Sequence, residues 1–152
     1  MIVYRISWSK YADDLTGKGA WLNGGRWNHK LAACIYTSES RALAVLEYTV
    51  NVKINEIPRA LSLITLEIPD TGILKLKEGE LPGNWKDAPA PSSTKDFGTE
   101  LLKALKFPIL KIPSCIIPNE FNYILNPVHE RSRYFKILEI RDFVYDVRLK
   151  LL

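Results

Sequence analysis

The 152-residue sequence has little cysteine and no long apolar run, and each shortage excludes a class of protein. Two cysteines, Cys34 and Cys115, are too few for a disulfide framework, so we expect a reducing compartment. No stretch approaches the roughly 18 apolar residues that a transmembrane helix needs. Residues 1–10 also lack the apolar core and cleavage site of a secretion signal. We therefore expect a cytoplasmic protein that does not enter a membrane.

The remaining composition is the ordinary balance of a globular domain. Hydrophobic residues make up 47% of the chain and charged residues 25%, which excludes a disordered or low-complexity chain. The length predicts one domain spanning residues 1–152, which buries roughly 68–70% of the surface that its unfolded form exposes. The formal net charge of +4 favours anionic partners but is too small to name one.

Apolar patterns predict a mixed α+β domain with more strand than helix. Residues 38–50 are predicted as a helix capped by Ser38 or Ser40, and residues 97–106 as a shorter helix. Residues 77–96 contain three prolines and are predicted as a surface loop. Strands are predicted at residues 2–6, 34–37, 61–68, 73–76, 109–112, 123–125, 135–140 and 143–151.

The familiar nucleotide-binding and catalytic motifs are incomplete in this chain. Residues 17–22 begin like a dinucleotide fingerprint, but Leu22 stands where the third glycine belongs. Residues 19–26 have the spacing of a P-loop, but Gly25 and Arg26 replace its lysine and hydroxyl residue. No CxxC or HxxxH pair predicts a metal site, and no G-x-S-x-G elbow predicts a serine nucleophile. We therefore expect neither a Rossmann nor a P-loop enzyme, and no metal centre.

Four of the eight glycines lie between Gly17 and Gly25, which indicates a backbone that turns sharply or allows a close approach. Arg26 directly follows two of them, so its guanidinium would stand beside an open backbone. Such a planar cation suits a pyrophosphate or a carboxylate held through two hydrogen bonds. From spacing alone, an equally good interpretation is a structural arginine that covers Trp27 or pairs with a nearby acid.

Glu47 is the one acidic residue between Ala42 and Val50, and its neighbouring positions on the predicted helix include Leu43, Ala44 and Val50. A carboxylate on an apolar helix face is unfavourable unless it is paired, protonated or directed into a cleft. For an isolated glutamate, the favoured interpretation is an exposed residue on the polar face of the helix. The functional alternative is a catalytic carboxylate.

A series of short motifs runs along almost the whole chain. They are YR (4–5), GKGA (17–20), NGGRWN (23–28), IYTSES (35–40), ALAVLE (42–47), LP (81–82), PSCIIP (113–118), NYILNP (122–127) and FVYDVRL (143–149). In this order they resemble the RES-domain proteins, the toxins of RES–Xre toxin–antitoxin pairs. The GGRWN block together with the later PS and NP blocks is fairly specific. One departure is Leu31, which stands where the family often has glycine.

The resemblance implies a fold like that of the ADP-ribosyltransferases and an enzyme that consumes NAD. Family members are described as cleaving the nicotinamide–ribose bond by phosphorolysis or hydrolysis, or as transferring ADP-ribose to a protein. NAD would then be a consumed substrate and not a cofactor, with inorganic phosphate as a candidate second substrate. The resemblance leaves the acceptor open among phosphate, water and a protein side chain.

The resemblance also assigns residues. The family's functional arginine, tyrosine and glutamate correspond to Arg26, Tyr36 and Glu47, and its motif serine corresponds to Ser114. Glu47 is expected to face the ribose and its developing positive charge, and Arg26 to hold pyrophosphate or ribose oxygens. Tyr36 would stack on nicotinamide or hydrogen-bond across the pocket, unless it is a core tyrosine. Ser114 would donate to substrate or phosphate, unless it only caps a turn.

Four further residues are predicted to bind substrate. Arg5 is a candidate second phosphate-side cation, and a salt bridge at the strand edge is an equally good interpretation. Asn126 is expected either to fix a loop or to touch substrate. Trp27 and Asn28 are included because they complete the GGRWN block.

The resemblance implies a partner as well. The chain has no helix-turn-helix of its own, so DNA binding would belong to a separate Xre-type antitoxin. In the family, the C-terminal segment of the antitoxin blocks the active-site cleft, and its carboxyl end would compete for Arg26. The assembly state, whether a homo-oligomer or a hetero-oligomer with the antitoxin, is not given by the sequence.

Two other classes of function are compatible with the residue types. A metal-independent ribonuclease would use His29 and His129 together with the basic surplus. A non-catalytic module would bind NAD or a protein without forming a product. The chain has only two histidines and no clustered basic stripe, which disfavours the ribonuclease. The complete set of Arg26, Tyr36 and Glu47 disfavours an inactive module.

Overall fold

A computed structural model describes residues 1–57 and 60–150. Within these residues the chain forms seven strands and three α-helices. The helices are α1 (Lys18–Asn23), α2 (Arg41–Asn51) and α3 (Ser92–Lys103). The strands are β1 (Ile2–Trp8), β2 (Ile35–Ser38), β3 (Leu61–Glu67), β4 (Ile73–Lys75), β5 (Ile109–Pro113), β6 (Phe121–Leu125) and β7 (Lys136–Phe143). Short 3-10 helices lie at Ser9–Tyr11, Ile54–Glu56, Glu78–Glu80, Glu130–Tyr134 and Val147–Leu149.

The strands form one mixed sheet in the order β4-β5-β6-β2-β1-β3-β7. β4 and β5 run parallel, and every other neighbouring pair in this sheet is antiparallel. β1 pairs with β3 along its whole length, but it meets β2 at a single register position, where Tyr4 lies opposite Ser38. The two central strands are therefore barely joined, and α2 packs beside this junction.

Alternate residues of the central strands point to opposite faces of the sheet and bury two apolar clusters. In β5, Ile109 belongs to the first cluster and Leu110 to the second; in β6, Leu125 and Ile124 divide in the same way. The first cluster also contains Val3, Ile35, Ile64, Leu66 and Phe135. The second cluster, which lies on the face that carries Tyr36 and Ser38, also contains Trp27, Leu76, Trp85, Leu102 and Ile112.

The start of α2 is fixed by a hydroxyl cap. Ser40 lies in extended backbone, and its Oγ accepts a hydrogen bond from the Leu43 amide at 3.1 Å. Ser38, the other predicted cap, is instead the last residue of β2. Leu43 and Ala44 are buried and orient the helix, while Glu47 is only half-buried. The capped start and the buried face therefore define how α2 presents its carboxylate.

The strand-rich α+β class is confirmed, but two local predictions are wrong and one helix is missing from the predictions. The predicted strand at 143–151 is wrong: β7 ends at Phe143, residues 144–150 form no strand, and Val144 is 92% exposed. Residue 151 of this predicted strand lies outside the described residues. α3 begins at Ser92, inside the stretch predicted as a loop, where Thr94 Oγ1 donates to the Pro91 carbonyl at 3.0 Å. α1 was not expected at all, because its sequence is rich in glycine.

None of the helices in the described ranges combines the length and the apolar composition needed to cross a bilayer.

Candidate active site

A cleft of about 700 Å³ lies beside the junction of β1 and β2, with α2 and residues 88–90 forming other parts of its wall. Its volume is within the usual range of small-molecule sites. In the described part of the chain, the charged side chains that line it are Arg5, Arg26 and Glu47. Two guanidinium groups and one carboxylate, far apart in sequence, therefore share one hollow.

The thiol of Cys115 also lines this cleft and responds to both signs of charge. Burial is the largest effect and raises its pKa; Arg26 then lowers the pKa, and Glu47 raises it. The thiol thus lies in the same cleft that Arg26 and Glu47 line.

Arg26 is held on one side by backbone carbonyls. Its Nη1 donates to the carbonyl oxygens of Trp85 at 2.9 Å and Asp87 at 2.7 Å. Among the described residues, no protein atom accepts a hydrogen bond from its Nε or Nη2, so these donors are available to a ligand in the cleft. Arg26 forms no ion pair with a nearby acid there, which disfavours that structural interpretation.

Glu47 is fixed by two donors that meet on one carboxylate oxygen. Its Oε1 accepts from Ser114 Oγ at 2.8 Å and from Asn122 Nδ2 at 2.6 Å. Within the described ranges, Oε2 accepts no hydrogen bond from the protein. Glu47 is thus a half-buried, oriented carboxylate at the cleft wall, not a residue on a solvated helix face.

The hydroxyl of Ser114 is fully used in this arrangement. It donates its proton to Glu47 and accepts from the amides of Ile116 at 3.0 Å and Ile117 at 3.2 Å. It therefore caps a turn, as its structural interpretation holds, and it also binds Glu47. In this arrangement its proton is not directed to an incoming phosphate, and donation by Ser114 to substrate stays a prediction.

Asn122 is a site residue that the sequence reasoning missed. It lines the cleft, and its amide contacts Glu47 directly. The one signal in the sequence was its place at the start of the NYILNP block, where only Asn126 was singled out.

Tyr36 lines the cleft, and hydrogen bonds to the glycine-rich turn hold its side chain in place. Its hydroxyl donates to Asn28 Oδ1 at 2.6 Å and accepts from the Trp27 amide at 3.0 Å. Burial raises the pKa of Tyr36 well above its usual value, and the nearby Cys34 thiol raises it further. The phenol is therefore neutral and fixed, so it offers the cleft mainly its ring.

Trp27 and Asn28, both predicted to bind substrate, are almost fully buried. The Trp27 indole is 5% exposed and packs between Phe97, at 6.0 Å between ring centroids, and Trp85, at 6.4 Å. Asn28 lies outside the cleft lining, and its Nδ2 donates to the carbonyl oxygens of Ala20, His29 and Ala32. The structure gives both residues a part in shaping the glycine-rich turn, and substrate contact by them stays a prediction.

Asn126 lies away from the cleft. Its Nδ2 donates to the Leu102 carbonyl at 2.9 Å, and its Oδ1 accepts from the Val128 amide at 3.2 Å. Of the two roles expected for this residue, the arrangement matches the fixing of a loop.

Arg5 is the second guanidinium that lines the cleft. Its Nη2 donates to the Tyr11 carbonyl at 3.2 Å, while its Nε is buried and has no hydrogen-bond partner among the described residues. Burial lowers the pKa of Arg5, and the charge of Asp14 opposes this. Among the described residues it forms no ion pair within 4.0 Å, so the strand-edge salt bridge is absent there. Contact between Arg5 and an anionic substrate group stays a prediction.

The two histidines lie outside the cleft lining. His29 Nε2 is 2.5 Å from Asp96 Oδ1 on the exposed side of α3, and His129 Nδ1 accepts from the Arg131 amide. They belong to separate local structures and do not form one site, which disfavours a histidine-dependent ribonuclease.

A family model described as RES domain matches residues 2–146. Relatives with similar sequences include "Toxin Res" of Yersinia enterocolitica, 39% identical over 152 residues, which cover 99% of this chain and all of the relative. Another is "Prs ADP-ribosylating toxin" of a Sphingobium species, 36% identical over 141 residues, covering 91% of this chain and 88% of the relative. The chain belongs to the RES-domain family.

A solved structure, titled as the MbcT-MbcA toxin-antitoxin complex of M. tuberculosis, contains a chain with a similar fold. The TM-score is 0.75 with 18% sequence identity, over 98% of this chain and 86% of that one. At this identity the likeness concerns the fold alone, and it agrees with the mixed α+β class seen here.

Proposed function

We propose that this chain is a toxin of a toxin–antitoxin pair and that it cleaves the nicotinamide–ribose bond of NAD. The observation that carries the proposal is that Glu47, held by two donors, and Arg26, with unused donors, line one cleft of about 700 Å³. The names of two relatives, a toxin from Yersinia and an ADP-ribosylating toxin from Sphingobium, support a toxin that acts on NAD.

The chemistry of NAD suits a site with a single carboxylate. Nicotinamide in NAD is already cationic and leaves without being protonated, so the acid of an ordinary glycosidase pair is not needed. The ribose then develops positive charge as the bond breaks. A carboxylate about 4 Å away, at an effective dielectric constant of about 20, stabilises such a charge by up to roughly 4 kcal/mol. We assign this role to Glu47, through the Oε2 that no described protein group engages.

The remaining cleft residues bind and orient. Arg26 offers Nε and Nη2 to the pyrophosphate, since Nη1 is held by backbone carbonyls. Arg5 is a second guanidinium on the cleft wall and adds positive charge that favours the anionic pyrophosphate. The neutral ring of Tyr36 forms an apolar part of the wall beside nicotinamide.

Phosphate, water and a protein side chain are the three candidate acceptors for the ADP-ribosyl group. Nicotinamide release by phosphorolysis or hydrolysis is the first proposal. Transfer to a protein is the second, and the name of the Sphingobium relative favours it.

The test is to incubate the purified chain with NAD, with and without inorganic phosphate and a bacterial lysate. Phosphorolysis yields ADP-ribose-1″-phosphate only when phosphate is present, whereas hydrolysis yields ADP-ribose with or without phosphate. Transfer from NAD labelled in its ADP-ribose part yields a labelled protein band. If no condition releases nicotinamide, the proposal is wrong.

The proposal includes a partner. A protein with a similar fold has been solved as the MbcT-MbcA toxin-antitoxin complex. We propose that an Xre-type helix-turn-helix antitoxin covers the cleft with its C-terminal segment and that the pair acts in the cytoplasm. Hydrogen exchange of the pair should show protection at residues 24–28 and at α2. Protection confined to the far sheet edge at β7 would contradict occlusion.

A further inference from the structure

Glu47 is the end of a chain of side-chain hydrogen bonds that starts on β2. Ser38 Oγ donates to Asn122 Oδ1 at 2.7 Å, and Asn122 Nδ2 donates to Glu47 Oε1 at 2.6 Å. Ser38 is 3% exposed, so water has little access to the first bond. Three residues on three different elements thus form one continuous connection.

The register of the sheet produces this connection. β2 and β6 pair so that Ser38 lies opposite Asn122, and directly opposite residues point to the same face. Two residues along each strand, Tyr36 lies opposite Ile124, on the face of the second apolar cluster. A shift of one residue in this pairing would move Asn122 to the other face, away from Glu47.

The bond from Ser38 determines which end of the amide faces Glu47. An asparagine amide has an acceptor at one end and donors at the other, and turning it over exchanges them. Because Ser38 Oγ donates its proton to Oδ1, the NH2 group is the end that meets the carboxylate. In the opposite orientation, Oδ1 would face Oε1, and two partially or fully negative oxygens would repel each other.

Resting on the proposed function, we propose that Asn122 is a positioning residue for the Glu47 carboxylate and that Ser38 fixes the orientation of its amide. Asn122 and Ser114 together use both hydrogen-bonding directions of Oε1, which leaves Oε2 as the oxygen presented to the reacting ribose. The pair keeps the carboxylate in place, and neither residue contributes a group to the reaction itself.

The first measurement is the steady-state kinetics of nicotinamide release by Asn122→Ala. Loss of a hydrogen bond to a charged group should lower kcat about 10- to 100-fold, while KM for NAD changes less than about threefold. A merely structural role would lower the thermal stability without this separation of kcat from KM.

Asn122→Asp is the second variant, since it preserves shape if Asn122→Ala fails to fold. It places a second carboxylate beside Oε1, where the hydrogen bond from Asn122 Nδ2 is lost and like charges repel. It should therefore lower kcat at least as much as Asn122→Ala. Carboxyl ¹³C NMR of Glu47 at one fixed pH gives a readout without substrate: in both variants the chemical shift should differ from that of the wild-type chain.

Ser38 is tested through a double-mutant cycle. Ser38→Ala should lower kcat about 3- to 10-fold in the wild-type background, but less than about twofold in the Asn122→Ala background, since it acts only through Asn122. The matched control is Ser62→Ala, which removes an equally buried strand hydroxyl bonded at 2.8 Å to Ser9 and lies outside the cleft. It should leave kcat and KM unchanged.

The outcomes separate this inference from the proposed function. A wild-type chain that releases no nicotinamide under any condition overturns the function, and the carboxyl chemical shift of Glu47 then decides the positioning by itself. An active wild-type chain whose Asn122 variants keep its kcat overturns the positioning. Fully additive effects of Ser38→Ala and Asn122→Ala overturn the part assigned to Ser38.

Discussion

Gly25 and Tyr36 lie so close together that a Cβ atom on Gly25 would be 2.6 Å from the Tyr36 hydroxyl oxygen. That hydroxyl bonds to both Trp27 and Asn28, so the phenol has no room to move aside. Gly25, directly before Arg26, therefore allows the Tyr36 ring to pack against the backbone of this turn. The packed ring stabilises the turn that positions the guanidinium of Arg26.

Gly25→Ala tests this contact. We expect the extra methyl to lower the free energy of unfolding by about 1–3 kcal/mol, because a well-packed site must shift to admit it. We also expect kcat/KM for NAD to fall, since the shift reaches Arg26. Gly79→Ala is the control, as no atom of the described residues lies within 4 Å of a Cβ built there. Equal stability of the two variants in urea unfolding would refute the role of the contact.

Arg26→Lys separates shape from charge. Lysine keeps the positive charge but loses the fork whose Nη1 binds the Trp85 and Asp87 carbonyls and whose other donors are available to pyrophosphate. We expect KM for NAD to rise at least about tenfold. Arg133→Lys, an exposed arginine outside the cleft, should behave as wild type. A wild-type KM in Arg26→Lys would remove the bidentate role.

Leu31 has a φ of 74° and is 69% exposed, so it adopts a left-handed conformation without burying its side chain. This is the position where the family often has glycine. A residue with a Cβ in the left-handed conformation costs roughly 1–2 kcal/mol of stability. Glycine avoids this cost, but it loses part of the gain because its unfolded chain has more conformational freedom. We expect Leu31→Gly to raise the free energy of unfolding by about 0.5–1 kcal/mol. Leu31→Ala keeps the strain, so an equal gain from alanine would disprove this explanation.

Alkaline pH should destabilise the fold through buried groups near the cleft. Burial raises the pKa of Cys34 to about 12 and that of Tyr36 well above its usual value. In the unfolded chain these groups lose their protons at ordinary values of roughly 8.5 and 10, whereas the folded chain retains them. The unfolded state is therefore favoured as pH rises above about 8.5, by up to about 1.4 kcal/mol per pH unit for each group.

Urea unfolding between pH 8 and pH 10.5 measures this dependence. Cys34→Ala should lose part of the slope between pH 8.5 and pH 10, whatever its stability at pH 8. The same slope in wild type and variant would show that the thiol does not contribute.

The sequence pointed to Arg26 and Glu47 because both belong to short blocks of specific residue types. It could not reveal that Ser38 and Asn122 form a pair. The two residues are 84 positions apart in sequence, and their contact depends on the register between β2 and β6. It also could not show that the Ser114 proton points to Glu47. Such bonds depend on how α2 packs on the sheet, and local sequence patterns carry no information about that packing.

The errors in secondary structure have physical causes of the same kind. Residues 143–151 have a composition typical of strands, but Tyr145 is buried by packing on Tyr48 of α2 and by a bond to Thr49 Oγ1, not by pairing in the sheet. In α3, the residue at 98 must be glycine because a Cβ would overlap the Trp27 carbonyl oxygen. Tertiary contact outweighs local propensity at both places.

The central claim is that the charge of Glu47 drives nicotinamide release, and Glu47→Gln tests it most directly. The glutamine carbonyl can still accept from Ser114 and Asn122, so the variant removes the charge while it preserves the shape of the site. With the melting temperature unchanged, we expect the rate of nicotinamide release from NAD to fall about a thousandfold. A variant that folds and keeps the wild-type rate would contradict the account.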